Sequence, residues 1–194
     1  MLLSEISSDR LAAARQHWNA CSLCEHRCLA NRAAGETGPC RAGVEARVFR
    51  QRVEYGEELE LIPCHLFYLS GCDLRCRFCI AEANAFNPQS GTPLTAEFLR
   101  EAIAAAQPQQ PRTLQWVGGE PTIHLPTILQ VMAEQDALPS IVWKSDFHGT
   151  PQALRLLEGI VDTFVADFKF GNDHCAQRLA SVPRYWEVVT RNLL

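Results

Sequence analysis

The chain has 194 residues, of which 47% are hydrophobic, so it is long enough to bury a substantial core. Its formal net charge of −4, with both signs scattered along the chain, argues against nucleic acid as a partner. No apolar run approaches the ~18 residues of a membrane span, and the first residues lack the basic and apolar regions of a signal peptide. We therefore expect a cytoplasmic protein without membrane contact.

The first predicted element is a short helix. The residues Ser7-Ser8-Asp9 favour a helix N-terminus before the alanine-rich segment 10–18, in which Leu11, Ala14 and Trp18 can share one face. Further along, alternating side chains over 46–54 predict a charged strand at the surface, either an edge strand or part of a ribbon.

Between these two elements lies a group of four cysteines with the spacing C-x2-C-x3-C-x11-C. Four thiolates can close a coordination shell, so the group predicts a structural zinc site or a second iron–sulfur cluster that relays electrons. His26 offers an alternative ligand, and free thiols in a small loop are the simpler interpretation. The four residues, here called the N-terminal cysteines, are Cys21, Cys24, Cys28 and Cys40.

A second group, Cys72, Cys76 and Cys79, follows the apolar run 66–69 with the spacing C-x3-C-x2-C. Three thiolates can hold three irons of a [4Fe–4S] cube and leave the fourth iron free to bind a small molecule. A three-cysteine zinc site and buried thiols are the alternatives. Because the chain has nine cysteines, an odd number, and most lie in these two groups, metal-bound thiols are favoured over disulfides.

After the second cysteine group, predicted strands and helices alternate to the end of the chain. Alternation of this kind favours βαβ units and a parallel sheet, with functional groups at the carboxyl ends of the strands. The predicted core strands are 66–70, 114–117, 141–144 and 163–168, and the predicted helices follow Thr95 and span 126–137 and 151–158.

Two polar groups fall at predicted strand ends. The adjacent Gly118 and Gly119 would let a ligand approach the backbone, and Glu120 can accept a hydrogen bond from an ammonium group. Asp167 and Lys169 point to the same face because side chains alternate along a strand. A simple turn and a simple salt bridge are the respective alternatives.

The three-cysteine loop, with the aromatic Phe78 before its last cysteine, resembles the signature of the radical S-adenosylmethionine (radical SAM) superfamily. The resemblance implies that Cys72, Cys76 and Cys79 ligate a [4Fe–4S] cluster whose open iron binds S-adenosylmethionine, which is then cleaved to a 5′-deoxyadenosyl radical. It also implies that Gly118, Gly119 and Glu120 contact the amino group of the methionine moiety and that Phe78 frames the adenine. Asp167 and Lys169 would face the methionine carboxylate and a nearby cation.

The N-terminal cysteines and most of the remaining chain resemble the subgroup related to pyruvate formate-lyase activating enzymes. That resemblance implies a glycyl-radical protein as substrate and a flavodoxin or ferredoxin as reductant. The segment Lys144-Ser145-Asp146 departs from the pattern of the activating enzymes, which puts their cation site in question, and Lys144 could supply the positive charge instead.

The fold expected is α/β, a partial TIM-like radical SAM barrel that stops after four core strands. Residues 1–61 would form the helix and the cysteine-rich region, and residues 62–194 would form the incomplete core. A sheet ending near 161–170 exposes an apolar edge. A second copy or a separate complementing chain would cover it, and the alternative is that the sequence is a fragment and nothing covers it. The alternative functions are a non-catalytic iron–sulfur electron carrier or scaffold, and a zinc-binding module.

Overall fold

The computed structural model describes residues 6–56 and 58–194. These residues form an α/β fold in which six strands belong to one mixed sheet. The strands are β1 (Arg47–Glu54), β2 (Cys64–Leu69), β3 (Thr92–Pro93), β4 (Thr113–Gly118), β5 (Ser140–Ser145) and β6 (Thr163–Ala166). The helices are α1 (Ser8–Asn19), α2 (Glu82–Ala85), α3 (Ala96–Ala106), α4 (Leu125–Ala133), α5 (Pro151–Arg155), α6 (Asp173–Ala180) and α7 (Tyr185–Leu193).

The strand order across the sheet is β3-β1-β2-β4-β5-β6. β2, β4, β5 and β6 are parallel neighbours, as the alternation of strands and helices predicts. β1 pairs antiparallel with β2, and its outer side pairs only briefly with the two-residue β3, so its charged surface position near the edge is confirmed. In the part of the chain that the structure describes, the sheet stays open and does not close into a barrel.

One face of the sheet packs against the helices. Side chains of alternate strand positions, among them Phe67, Trp116 and Trp143, are fully buried there. α4 covers these strands with an almost entirely apolar face. Thr95 is the N-cap of α3 as predicted, and the N-cap of α1 is Ser7, the first residue of the predicted capping segment 7–9. This packing fixes the strands, so that the loops at their carboxyl ends are held in place.

The N-terminal region packs directly onto the rest of the chain. α1 contacts α4, and Leu23 is fully buried in the main core. The backbone N–H of Thr150 donates to the carbonyl of Leu23 over 3.0 Å, and Cys24 forms a β-bridge with Gly149. The segment containing the N-terminal cysteines is thereby attached to the loop that follows β5.

The sheet ends at β6, and several large apolar side chains near this edge are exposed, including Phe164 at 42% and Trp186 at 45%. Among the described residues no helix combines the length and the apolar character needed to cross a membrane.

Candidate iron–sulfur site

A cavity of about 360 Å³ opens at the carboxyl ends of the parallel strands, a volume typical of a small-molecule site. Its walls come from the loop after β2, the end of β4 and the segment after β6. The predicted site residues that line it are Cys72, Cys76, Phe78, Cys79, Gly118, Gly119, Asp167 and Lys169. A larger cavity of about 820 Å³ lies beside β6 and α7, and none of these residues is among those that line it.

The loop that carries the three cysteines, residues 71–79, is shaped by its own backbone. Gly71 has φ 89° and Arg75 has φ 48°, both in the left-handed region, which turns the chain back on itself twice. The N–H of Cys79 donates to the carbonyl of Cys76 over 3.0 Å, and Leu74 is buried as an anchor between the cysteines. The loop therefore presents its thiols to one cavity, and the donor set fits a cluster held by three cysteines.

Burial affects the pKa of two thiols of the loop, those of Cys72 and Cys76. Burial raises the pKa of Cys72 well above its ordinary value, and the carboxylates of Asp73 and Asp146 raise it further. Burial also raises the pKa of Cys76 to about 11, while the ammonium of Lys169 acts in the opposite direction. Because only thiolates bind metal, these thiols would release protons when a metal centre is bound.

The two glycines after β4 are required by the approach of neighbouring backbone. A Cβ on Gly118 would lie 2.2 Å from the backbone nitrogen of Leu69, and a Cβ on Gly119 would lie 1.8 Å from the carbonyl oxygen of Gly71. Both distances are far below van der Waals contact. Glycine is therefore required at position 118 by the contact of β4 with β2 and at position 119 by the contact with the cysteine loop. Both glycines also line the cavity, and their predicted approach to a ligand stays a prediction.

The Glu120 carboxylate is buried, 1% exposed, and is not among the residues that line the cavity. Its Oε1 accepts hydrogen bonds from the backbone N–H of Thr122 and the hydroxyl of Ser145, and its Oε2 accepts from the backbone N–H of Asp146 over 2.9 Å. Burial, together with the charge of Asp73, raises the pKa of Glu120 to about 7. The carboxylate therefore links the ends of β4 and β5, and its predicted contact with an ammonium group stays a prediction.

Asp167 and Lys169 lie together on the wall of the cavity, where their side chains form an ion pair. They follow directly after β6, which ends at Ala166, two residues earlier than predicted. The backbone N–H of Lys169 donates to the hydroxyl oxygen of Tyr185 over 2.8 Å, so α7 helps to hold this segment against the cavity.

Two further predicted groups have defined surroundings. Phe78 is 51% exposed at the cavity and contacts Phe170 edge to face, so it is not a core aromatic residue. Lys144, one of the residues that depart from the activating-enzyme pattern, lies 3.6 Å from the carboxylate of Glu58.

Sequence reasoning did not identify Asp73 as part of the site. Its carboxylate is buried beside Cys72 and Asp146, with ligand atoms of the three residues within 4.8 Å of one another. Burial raises the pKa of Asp73, but the hydrogen bond and charge of His148 outweigh this effect and lower it. The pKa of Asp146 is raised well above its ordinary value by burial and by the charges of Asp73 and Glu120. The only sequence signal was an acidic residue directly after a cysteine.

The N-terminal cysteines lie near one another behind the cysteine loop. The thiol of Cys28 points to the carbonyl of Cys21 at 3.9 Å, and Gly38 leaves space for it, since a Cβ there would lie 2.4 Å from its sulfur. Burial raises the pKa of Cys21 and Cys40, and the guanidinium of the buried Arg32, 3.5 Å from the sulfur of Cys40, opposes it. A positive charge among these thiols suits thiolate ligands of a metal centre.

Comparisons with known proteins agree with an iron–sulfur site. Residues 62–146 match the family model of a 4Fe-4S single cluster domain, a segment that includes the cysteine loop and residues 118–120. The chain is also similar to an uncharacterized protein of Methanocaldococcus jannaschii, with 32% identity over 191 residues. That alignment covers 95% of this chain and 56% of the relative, so the chain spans just over half of the relative's length. No solved structure matches the chain.

The family match and the three thiols that face one cavity support an iron–sulfur protein with a 4Fe-4S domain. The matched region ends at Asp146 and therefore does not include Asp167 and Lys169.

Proposed function

We propose that the chain is a radical SAM iron–sulfur enzyme. The observation that carries the proposal is the convergence of Cys72, Cys76 and Cys79 on one cavity at the carboxyl ends of parallel strands, where Asp167 and Lys169 also lie. Three thiolates suit a [4Fe–4S] cluster with one open iron. When bound, the cluster would supply the electron that cleaves S-adenosylmethionine to methionine and a 5′-deoxyadenosyl radical, which abstracts hydrogen from a substrate.

The protein groups around the cavity have complementary roles in this proposal. Lys169 offers a cation to the carboxylate of the methionine moiety, and Asp167 orients Lys169 through their ion pair. Phe78 offers an exposed ring face to the adenine. Gly118 and Gly119 form the part of the wall where backbone, rather than side chains, faces the ligand. The resemblance to activating enzymes makes a glycyl-radical protein the proposed substrate and a flavodoxin or ferredoxin the proposed reductant.

The test is an assay for 5′-deoxyadenosine after anaerobic cluster reconstitution and reduction with dithionite. We expect product from the unchanged chain and none from Cys76→Ala. Cys175→Ala, which changes a cysteine outside both groups, is the matched control and should keep the activity. A reducible [4Fe–4S] signal without any 5′-deoxyadenosine from the unchanged chain would contradict the proposal.

That negative result would favour the second candidate, a non-catalytic iron–sulfur electron carrier or scaffold. The observation in its favour is the open sheet, because among the described residues β6 has a pairing partner on one side only. If zinc instead of iron and sulfide occupied the cysteine loop after reconstitution, the zinc-binding module would replace both candidates.

We also propose that the N-terminal cysteines bind a second metal centre, either zinc or an iron–sulfur cluster. The surrounding positive charge of Arg32 supports thiolate ligands at this position. The test compares the metal and sulfide content of Cys24→Ser with that of Cys72→Ser. Cys24→Ser should lose only the metal of the N-terminal cysteines, and Cys72→Ser should lose only the cluster of the cysteine loop. An unchanged metal content in Cys24→Ser would refute a second metal centre.

Finally, we propose that the open edge at β6 is covered in the assembled protein by a second copy or a separate complementing chain. The exposed Phe164 and Trp186 near that edge support it. Static light scattering on the purified chain should then show an oligomer or an association-prone species. A stable monomer that remains soluble at high concentration would contradict this proposal.

A further inference from the structure

A second set of ligand-type side chains lies behind the cysteine loop. His26, Asp73 and His148 place ring nitrogens and a carboxylate oxygen within 4.8 Å of one another. Nδ1 of His148 lies 2.9 Å from Oδ2 of Asp73, and Nε2 of His26 lies 3.1 Å from the backbone carbonyl oxygen of Asp73. The two imidazole rings are 5.2 Å apart and nearly perpendicular. Two imidazoles and one carboxylate are donors that suit first-row divalent metals.

The three residues come from three distant parts of the chain. His26 lies among the N-terminal cysteines, Asp73 lies in the cysteine loop, and His148 follows β5. The N–H of Glu25 donates to the carbonyl of His148 over 2.9 Å and joins the first and third segments, while the two histidine side chains contact Asp73. The donors are therefore brought together by the fold itself, and a metal bound to them would join three loops.

The buried carboxylates Asp73 and Asp146 favour a cation at this point, whereas Arg184 and Arg191 in the adjoining cavity act in the opposite direction. The Asp73 side chain is almost fully buried, and its Oδ1 has no hydrogen-bond donor among the described residues. Asp146, whose carboxylate lies within 4.8 Å of that of Asp73, also has a buried oxygen without a donor among the described residues. A buried carboxylate is costly unless a positive charge or hydrogen bonds compensate for it. A divalent ion beside Asp73 would supply that compensation.

The set also has an open side. His26 and His148 both line a cavity of about 260 Å³ whose other walls include Glu25, Val182 and Arg184. Catalytic and exchangeable zinc sites have three protein ligands and a fourth position taken by water. The cavity provides room for such a fourth ligand beside His26 and His148.

We propose that His26, Asp73 and His148 form a binding site for a single divalent transition metal that joins the N-terminal cysteine segment to the cysteine loop. The site lies between the two cysteine groups, takes no cysteine as a ligand and does not depend on the proposed radical chemistry. The alternative that the experiment must distinguish is an Asp–His hydrogen bond without metal.

The test uses zinc as the probe and the full chain with its iron–sulfur content reconstituted. Zinc is added, excess is removed, and bound zinc is measured by mass spectrometry. His26→Ala and His148→Gln should each bind about one zinc ion fewer per chain than the unchanged protein, because the site loses one of its three ligands. The exposed His174→Ala is the matched control and should bind the same amount as the unchanged protein.

His148→Gln separates the loss of a metal ligand from the loss of the contact with Asp73. Glutamine can still donate a hydrogen bond to Asp73, so the loop contact is preserved while a strong metal ligand is lost. Iron content and thermal unfolding of each variant show whether the chain is still folded. X-ray absorption at the zinc edge should show nitrogen and oxygen ligands at about 2.0 Å, beside any sulfur ligands at about 2.3 Å from zinc in the cysteine groups.

Equal zinc content in the unchanged protein, the folded His148→Gln variant and the His174→Ala control would overturn the proposal. A zinc spectrum with sulfur ligands alone would overturn it as well. Either result would identify the contact of His148 with Asp73 as an ordinary hydrogen bond.

Discussion

The backbone N–H of Glu120 donates a hydrogen bond of 3.0 Å to the carbonyl of Gly71, which joins the end of β4 to the start of the cysteine loop. A second bond runs from the N–H of Gly119 to the carbonyl of Leu69 over 2.7 Å. The position of Cys72 is therefore set by the neighbouring strand as well as by its own loop. Substitutions in residues 118–120 should therefore affect metal binding although none of these residues is a proposed metal ligand.

Gly119→Ala tests this link. The added methyl group would lie 1.8 Å from the carbonyl oxygen of Gly71, so the cysteine loop must move. Overpacking of this kind costs about 1–3 kcal/mol or more. We expect a lower free energy of unfolding and less iron bound after reconstitution. Gly43→Ala is the control, because nothing lies within 4 Å of its new Cβ, and it should leave both quantities unchanged. Full iron content in Gly119→Ala would show that the loop adapts.

Glu120→Gln tests the carboxylate between β4 and β5. Both carboxylate oxygens of Glu120 are buried and accept hydrogen bonds. In glutamine an NH2 group replaces one of these oxygens, so it would face N–H or O–H donors that then have no acceptor. A buried donor left without an acceptor costs about 1–3 kcal/mol. We expect the free energy of unfolding, measured by urea titration followed by circular dichroism, to fall by that amount, with a lower urea midpoint. The exposed Glu134→Gln should show no change, and an equal midpoint for both variants would refute the assigned role.

The four parallel strands could be predicted because each is a short apolar run flanked by turn residues and separated by helical patterns. The convergence of Cys72 and Lys169 could also be expected, since functional groups gather at the carboxyl ends of parallel strands. The partners of Glu120 and the position of Asp73 could not. Both depend on contacts between distant segments that form only when the chain is folded. Asp73 and His148, for example, are 75 residues apart in the sequence, and a local sequence pattern contains no information about such a contact.

The acid sensitivity of the fold should depend in part on His124. Burial, together with the charge of Arg32, lowers the pKa of His124 to about 4 from its ordinary 6.5, although its hydrogen bond to the carbonyl of Ser70 acts in the opposite direction. Below pH 6.5 the unfolded chain takes up a proton that the folded chain does not. Stability is therefore lost as the pH falls from 6.5 toward 4, and this residue contributes a loss of about 2 kcal/mol between pH 7 and pH 5.

His124→Gln should reduce that pH dependence, because glutamine can donate to Ser70 and does not titrate. The measurement is urea unfolding of the metal-free chain at pH 7 and pH 5, with the exposed His174→Gln as the control. Identical losses of stability in the unchanged chain and in His124→Gln would show that other groups cause the acid sensitivity.

Tyr185→Phe tests how α7 supports the cavity wall. The substitution removes the hydroxyl that accepts the hydrogen bond from the backbone N–H of Lys169 but keeps the ring, which packs edge to face against Phe170 at 5.1 Å. A hydrogen bond of this type contributes about 0.5–1.5 kcal/mol. Hydrogen exchange of the Lys169 amide should therefore accelerate several-fold, while amides in β4 and β5 keep their protection. Tyr55→Phe, at an exposed position, should change neither. Unchanged exchange at Lys169 in Tyr185→Phe would mean that other contacts fix the segment after β6, and that this hydrogen bond from α7 is not needed to shape the site.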